Sequence, residues 1–288
     1  MSKIIISTVE HDFVIYDVDE HKIVFKKEKT NQLDCKHLEG QGKDTFTPHG
    51  VTVDEHHIYV VSNDRLAQYN RQYQFESMVD VPLFVNTHDI IKDKDMLYVC
   101  NTSVNNIGIY NLKTKENKFL DVSTFKFVDT PQAPTHKGEL DINHVNSLFN
   151  AGDKIWFCLH NQGKKLSEYG YIVKDTLEVN LVFSVGMCSH DIEIVENTLY
   201  TLSTNTGELI EINLITGALS SHKLNNSNFI RGLLYIEGKL IIGNSVNYKK
   251  DSVGNAYIMI MDLKTKIIIS TQILDGISGI KDINFFIK

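Results

Sequence analysis

Five segments of this chain align with one another, and a short β-rich unit repeated several times confines a chain to solenoids, arrays and propellers. His49-Gly-Val-Thr-Val-Asp is followed by Ile58-Tyr-Val-Val-Ser-Asn63, and His88-Asp-Ile-Ile-Lys-Asp by Leu97-Tyr-Val-Cys-Asn-Thr102. Asn146-Ser-Leu-Phe-Asn leads to Ile155-Trp-Phe-Cys-Leu-His160, and His190-Asp-Ile-Glu-Ile to Leu199-Tyr-Thr-Leu-Ser-Thr204. The fifth is Arg231-Gly-Leu-Leu-Tyr with Leu240-Ile-Ile-Gly-Asn-Ser245. Each unit opens on a polar leader, alternates apolar and polar residues, turns on a polar cluster and returns as a β-branched or aromatic strand. Third strands follow in Arg65-Leu-Ala-Gln-Tyr, Ile107-Gly-Ile-Tyr, Glu208-Leu-Ile-Glu-Ile and Ala256-Tyr-Ile-Met-Ile-Met. Turns such as Leu112-Lys-Thr-Lys or Leu214-Ile-Thr-Gly lead to a fourth, as in Ile267-Ile-Ile-Ser-Thr.

Four antiparallel strands per unit of about 40–50 residues is the pattern of a propeller blade. Leaders recur after 39, 58, 44, 41 and 50 residues, the sixth being Lys281 in Lys-Asp-Ile-Asn-Phe-Phe. From Lys281 through the C-terminus and round to His49 is a further 56, so six units account for all 288 residues. The C-terminus then supplies one strand of a blade whose other three are Lys3-Ile-Ile-Ile-Ser, Phe13-Val-Ile-Tyr and Ile23-Val-Phe-Lys. Such a closure removes the open edges that a solenoid has to protect. The expectation is an all-β, single-domain, six-bladed β-propeller of four-stranded antiparallel blades. They cover about 281–288 plus 1–29, 49–80, 88–121, 146–184, 190–224 and 231–271.

Charge and composition trim the functional classes. With 29 Lys+Arg against 36 Asp+Glu the chain has a formal charge of −7, and it has no basic run to follow a phosphate backbone, so nucleic acid is not expected as a partner. Apolar runs such as Ile4-Ile5-Ile6 are too short for a membrane span, and the N-terminal residues lack the pattern of a signal peptide. Cys35, Cys100, Cys158 and Cys188 match neither a zinc spacing nor a compact disulfide framework. Reduced thiols and a cytoplasmic location follow as expectations, with Cys100 and Cys158 as small core residues.

The run from His49-Gly-Val-Thr-Val-Asp through Ile-Tyr-Val-Val-Ser-Asn to Arg-Leu-Ala-Gln-Tyr resembles an NHL-type or streptogramin-lyase-type blade. The resemblance extends over nearly the whole chain as blade architecture. It implies the six-bladed fold shared by lactonases, lyases, strictosidine-synthase-like enzymes and many interaction modules. The Glu, Asn and Asp metal set of the gluconolactonase-like group is not reproduced at these leader positions.

In a propeller the first strand of each blade lines the central channel, and its start lies beside the end of the second strand. The repeat therefore sets His49 near Asn63, His88 near Thr102, Asn146 near His160, His190 near Thr204 and Arg231 near Ser245, on one end of the channel. His144, one alternation step before Asn146, turns the same way and sits higher in the mouth. The longest connections, Thr30 to Pro48, Asp121 to Asn143 and Ser245 to Asn255, open on that same face. Long loops on one rim of a rigid scaffold are where binding and catalysis concentrate.

Four imidazoles, His49, His88, His144 and His190, could meet around the axis as a divalent transition-metal site or serve as structural hydrogen-bonders between blades. Asp89 and Asp191 are expected to turn away from the channel and brace the backbone. Arg231 and Lys281 on the other arc suit an anionic ligand. The leading expectation is an enzyme of metal-assisted lyase or hydrolase chemistry on a small polar or anionic substrate, a sugar derivative among the candidates, with histidines as metal ligands or general base. In it His88, His144, His190 and Arg231 act catalytically, while Asn63, Asn101, Asn146, His160, Arg231, Asn244 and Lys281 hold the substrate. The alternative is a non-catalytic module binding a ligand or a protein partner on the same face. No Gly-x-Ser-x-Gly elbow or phosphate loop is present. His56-His57 reads as an exposed turn, Trp156 as inter-blade core and His136 as a loop residue.

Overall fold

The computed structural model describes residues 2–30, 48–62, 65–79, 81, 87–130, 141–224, 229–246 and 254–286. They form a six-bladed propeller. Blade 1 holds β1 (Lys3–Thr8), β2 (His11–Asp17) and β3 (Lys22–Glu28); blade 2 holds β4 (Gly50–Val53), β5 (His57–Ser62), β6 (Arg65–Asn70) and β7 (Phe75–Met78). Blade 3 runs β8 (Thr87–Asp93), β9 (Met96–Asn101), β10 (Asn106–Asn111), β11 (Asn117–Asp121) and β12 (Lys126–Val128). Blade 4 comprises β13 (Val145–Ala151), β14 (Lys154–Leu159), β15 (Glu168–Val173) and β16 (Val179–Ser184). Blade 5 comprises β17 (Ser189–Val195), β18 (Thr198–Ser203), β19 (Glu208–Asn213) and β20 (Leu219–Lys223). Blade 6 comprises β21 (Phe229–Ile236), β22 (Lys239–Ser245), β23 (Ala256–Asp262) and β24 (Ile268–Leu274). The last strand, β25 (Ile280–Phe285), pairs antiparallel with β1 and becomes the inner strand of blade 1. The terminal closure is as the repeat arithmetic requires. Blade 3 departs from the four-strand expectation, because part of the long connection after Asp121 folds back as β12 on β11.

The apolar runs exist because both faces of every blade are covered. Ile4 and Ile6 pack against Leu234, Ile241 and Ile258 of blade 6, while Ile5, on the opposite face, meets Val51, Val60 and Tyr69 of blade 2. Six such clusters lie one between each pair of neighbouring blades. Trp156 sits in one of them with Ile192, Leu199 and Ile210 of the next blade, and Cys100 and Cys158 are fully buried with free thiols. The turn from third to fourth strand is written the same way three times. In Asn111-Leu-Lys-Thr114 and Asn213-Leu-Ile-Thr216 the asparagine Oδ1 accepts the N–H groups two and three residues on. In Asp262-Leu-Lys-Thr265 the aspartate Oδ1 accepts from Thr265. A side chain that closes its own turn in this way fixes where the strand ends.

Two kinds of polar latch join the inner ends of the blades. Hydroxyls at the end of the second strand donate to carbonyls of the next inner strand: Ser7 to His49 (2.8 Å), Thr102 to Val145 (2.6 Å), Thr204 to Ile230 (2.9 Å) and Ser245 to Ile280 (3.1 Å). Carboxylates accept backbone N–H groups across every second seam: Asp282 from Val51 (2.9 Å), Asp89 from Leu148 (2.6 Å) and Asp191 from Gly232 (2.7 Å).

Candidate functional site

The leaders do not sit in regular strand. Register shifts interrupt the pairing of first and second strands between Thr87 and Ile90, Val145 and Ser147, His190 and Ile192, and Ile230 and Leu233. A β-bulge re-aims the residues it contains. It breaks the simple alternation by which Asp89 and Asp191 were expected to turn away from the channel. Together with Asp282 they line a central cavity of about 250 Å³ to which all six inner strands contribute. Their expected bracing role is met, since each carboxylate holds the next blade's backbone.

At the mouth the imidazoles form an arc, ring beside ring. Centroids are 5.1 Å apart from His49 to His88, 4.9 Å from His88 to His144, 4.8 Å from His144 to His160 and 5.0 Å from His160 to His190. Phe229 continues the arc at 5.4 Å from His190. His49, His88, His144 and His190 are therefore brought together across blades 2 to 5, with His160 among them. Asn63 lies outside the described residues, as do His136 and Cys35.

Hydrogen-bond partners assign the tautomers. His190 Nδ1 lies 3.0 Å from the Cys188 carbonyl and 2.8 Å from Thr204 Oγ1, whose own proton goes to Ile230. Both partners accept, so Nδ1 carries the proton. His144 Nδ1 faces both oxygens of Asp141, at 2.8 and 3.1 Å, and is protonated for the same reason. His160 Nδ1 accepts the N–H of Gln162, and His88 Nδ1 faces a guanidinium nitrogen of Arg231 at 3.4 Å, so these two carry their proton on Nε2. Protonated Nδ1 and protonated Nε2 alternate along His88, His144, His160 and His190.

His88 and His190 are held well below the ordinary 6.5 of imidazole. Burial is the main cause for both; His88 also feels His144 and His49, and His190 feels Arg231 and His160. In the channel, burial raises Asp191 to about 7 and Asp282 to about 6, although Arg231 pulls both down. Arg231 is only 6% exposed, and its guanidinium's one hydrogen bond or ion pair among the described residues is the long contact with His88. Lys281 is buried nearby in sequence order on β25, beside Asp282.

The amides expected to orient a substrate serve mostly inside the scaffold. Asn101 Nδ2 donates to Asn106 and to the Tyr110 hydroxyl of its own blade. Asn146 donates to the Ser189 carbonyl of blade 5. Asn244 is fully buried, and neither of its amide atoms has a hydrogen-bond partner among the described residues. Two contributors escaped the sequence reading. Asp141 is signalled only by its three-residue spacing from His144, and Phe229 by its place two residues before a leader. His57 of the expected exposed turn pairs with Asp54 and Glu76, away from the arc.

Among the described residues there is no group of three or more His, Cys, Asp or Glu side chains placed to hold a metal ion. The Nδ1 atoms of His144, His160 and His190 are already engaged by protein groups.

No protein-family model matches this chain, and no curated protein matches its sequence. Solved structures do match its fold. A chain from a nidogen/laminin complex superposes with a TM-score of 0.71 at 8% identity, covering 99% of this chain and 98% of that one. A protein of unknown function from Bacteroides caccae follows with 0.64 at 12% identity, over 98% of each. Virginiamycin B lyase from Staphylococcus aureus gives 0.51 at 14% identity, over 83% of this chain and 87% of the lyase. At such identities the likeness is one of fold, and it agrees with the propeller resemblance carried by the blade motifs.

Proposed function

We propose that the histidine-lined mouth binds a small anionic substrate and carries out lyase or hydrolase chemistry on it. The observation that carries this reading is Arg231. A guanidinium has five N–H donors and stays charged, and taking it out of water without a carboxylate or phosphate partner is costly. Arg231 has no ion pair with a carboxylate among the described residues, acting on Asp191 and Asp282 only through space. It lies beside His88, whose burial holds it well below the ordinary imidazole value, and an oxyanion arriving from solution would pair with Arg231 directly. In this reading Lys281, buried on β25, supplies a second cation for the same anion. His144, its Nδ1 proton fixed by Asp141, keeps a lone pair on Nε2 and serves as the general base; His160, protonated on Nε2, serves as a donor. The likeness to virginiamycin B lyase supports a propeller face of this kind as a seat for lyase chemistry.

A second reading, a non-catalytic module on the same face, is favoured by the likeness to a chain of a nidogen/laminin complex. Both readings require the mouth to be occupied, and they part on turnover.

Thermal unfolding in phosphate, sulfate and small mono- and dicarboxylates at constant ionic strength tests the anion site. A ligand that binds only the folded state raises Tm with its concentration. At least one of these anions should do so in the wild type and not in Arg231→Gln. Equal Tm in all of them, or a rise that survives in Arg231→Gln, overturns the proposal.

A further inference from the structure

We infer that the mouth selects an anion borne directly on a flat aromatic ring, an aryl carboxylate, over sugar acids and simple aliphatic acids. The inference rests on the anion site at Arg231 proposed above and adds what stands next to the charge. Blades 3 and 6 face each other across a ring of six, so the contact of Arg231 with His88 Nδ1 carries the guanidinium across the channel. Its charge also reaches His190 on blade 5 and helps to hold that imidazole below its ordinary value. An anion that pairs with Arg231 therefore has rings for neighbours.

From His49 to Phe229 the centroids of successive rings are 4.8 to 5.4 Å apart. Aromatic rings pair favourably at centroid separations of about 4.5–7 Å, offset-stacked or edge to face. The arc uses both modes: His49 and His88 are stacked with 29° between their planes, while His88 and His144 meet edge to face at 84°. His88 and His190 are neutral rings at neutral pH, and Phe229 carries no polar atom, so this wall offers π surface rather than charge. His49, His144, His160 and Phe229 keep part of their surface open to a ligand.

The amides that would read sugar hydroxyls are spent elsewhere. Asn101 and Asn146 donate inside the scaffold. Asn105, Asn143 and Asn161, in the connections at the mouth end of blades 3 and 4, bond one another. Asn105 Nδ2 donates to Asn143 Oδ1 at 3.0 Å, and Asn143 Nδ2 to Asn161 Oδ1 at 3.4 Å. The Nδ1 atoms of His144, His160 and His190 already have protein partners. A polyol placed here gives up hydrogen bonds to water that few atoms of the wall remain to replace, whereas a flat apolar ring has little hydration to lose.

Isothermal titration calorimetry of the full chain at constant ionic strength compares benzoate with cyclohexanecarboxylate, acetate and gluconate, all of one charge. Benzoate should bind at least about threefold more tightly than each of the others, and Arg231→Gln should abolish its binding. Phe229→Leu keeps apolar bulk without the ring and should narrow the gap between benzoate and cyclohexanecarboxylate. Phe229→Ala should narrow it further and leave acetate unchanged. Phe229 is partly exposed, so circular dichroism and Tm should stay close to those of the wild type. If none of the four carboxylates binds while phosphate or sulfate does, the anion site stands and this inference falls; if none of the six binds, both fall. Acetate or gluconate binding as tightly as benzoate overturns the aromatic preference alone. So does a preference indifferent to both Phe229 variants, or one that survives Arg231→Gln.

Discussion

The Asp89 carboxylate accepts the backbone N–H of Leu148, on the inner strand of the next blade, at 2.6 Å. The same relation joins Asp282 to Val51 and Asp191 to Gly232, so carboxylate latches bridge blades 1 to 2, 3 to 4 and 5 to 6. The leaders show why. His88, His190 and Lys281 are followed by Asp, whereas His49, Asn146 and Arg231 are followed by Gly or Ser. The glycines leave room for the inner strand of the blade on the far side: a Cβ on Gly232, which has φ +89°, would lie 2.6 Å from Ile283 of blade 1, and one on Gly50 2.9 Å from the Asp89 Cα of blade 3. The inner ring is thus built as three pairs of blades.

Asp89→Ala removes the acceptor of a main-chain N–H inside the ring and should destabilise the protein by about 1–3 kcal/mol. Asp89→Asn keeps an acceptor oxygen in the same place and should cost clearly less. Urea unfolding at neutral pH compares them, and equal losses in the two variants would count against a hydrogen-bonded latch.

Stability should depend on pH through two opposing sets of groups. Asp191 stands at about 7 and Asp282 at about 6 in the fold, against 3.8 for an ordinary aspartate, so the folded state binds protons more tightly than the unfolded chain. Their contribution is full below the ordinary value and is lost as pH rises through the folded ones. His88 and His190 lie below 6.5, so theirs is full above 6.5 and is lost as pH falls. Asp191→Asn should therefore flatten the decline in Tm as pH rises from about 4 to about 7. A wild-type decline of the same slope in Asp191→Asn would contradict the assignment.

How much of this was legible in the sequence depends on which physics wrote it. Periodicity reports burial, and the leader spacing reports blade count, so the six blades and the terminal closure could be read directly. The convergence of His49, His88, His144 and His190 follows from the same arithmetic. The side-chain directions of Asp89 and Asp191 could not be read. A bulge shifts the alternation by one residue and leaves no composition signal beyond a polar pair. The roles of Asn101 and Asn146 were hidden too, because an amide that latches a scaffold and one that holds a ligand are the same residue in the same repeat position. Asp141 lies in a connection outside the repeat, where alignment between blades says nothing.

His190→Ala should destabilise the protein by about 1–3 kcal/mol, because it strips the Cys188 carbonyl and Thr204 of a buried donor. His190→Asn puts an amide N–H near the place of Nδ1 and should recover part of the loss. Denaturant midpoints measure this, and an Ala variant as stable as the wild type would show that His190 is no latch.

The Asp141 and His144 pair makes a prediction that needs no substrate. Long-range proton–nitrogen correlation spectra should show His144 protonated on Nδ1 in the wild type, with Nε2 bare. In Asp141→Asn the amide can satisfy either ring nitrogen, and the spectrum should shift towards the mixture typical of a free imidazole. Because both side chains keep some exposure, at 17% and 10%, Tm should change little. A wild-type His144 protonated on Nε2 would remove it from the role of base.

Deleting Ile280 to Lys288 tests the closure. β25 contributes Ile280 and Ile283 to the cluster between blades 1 and 6, and Phe286 just after it joins the cluster between blades 1 and 2. It pairs with β1 through Ile4, Ile5 and Ile6, and it carries the Asp282 latch to Val51. The deletion therefore opens two inter-blade cores at once, bares one edge of β1 and leaves the Ser245 hydroxyl without the Ile280 carbonyl. Losing buried isoleucines costs about 2–5 kcal/mol for each large-to-small change, and typical domains have only about 5–15 kcal/mol to lose. The truncated chain should lose its cooperative transition in thermal and urea unfolding. The milder Ile283→Ala should keep a single transition at lower Tm, which separates closure from a general sensitivity of the fold. A truncated chain that still melts in one sharp step would mean that the ring stands without its last strand.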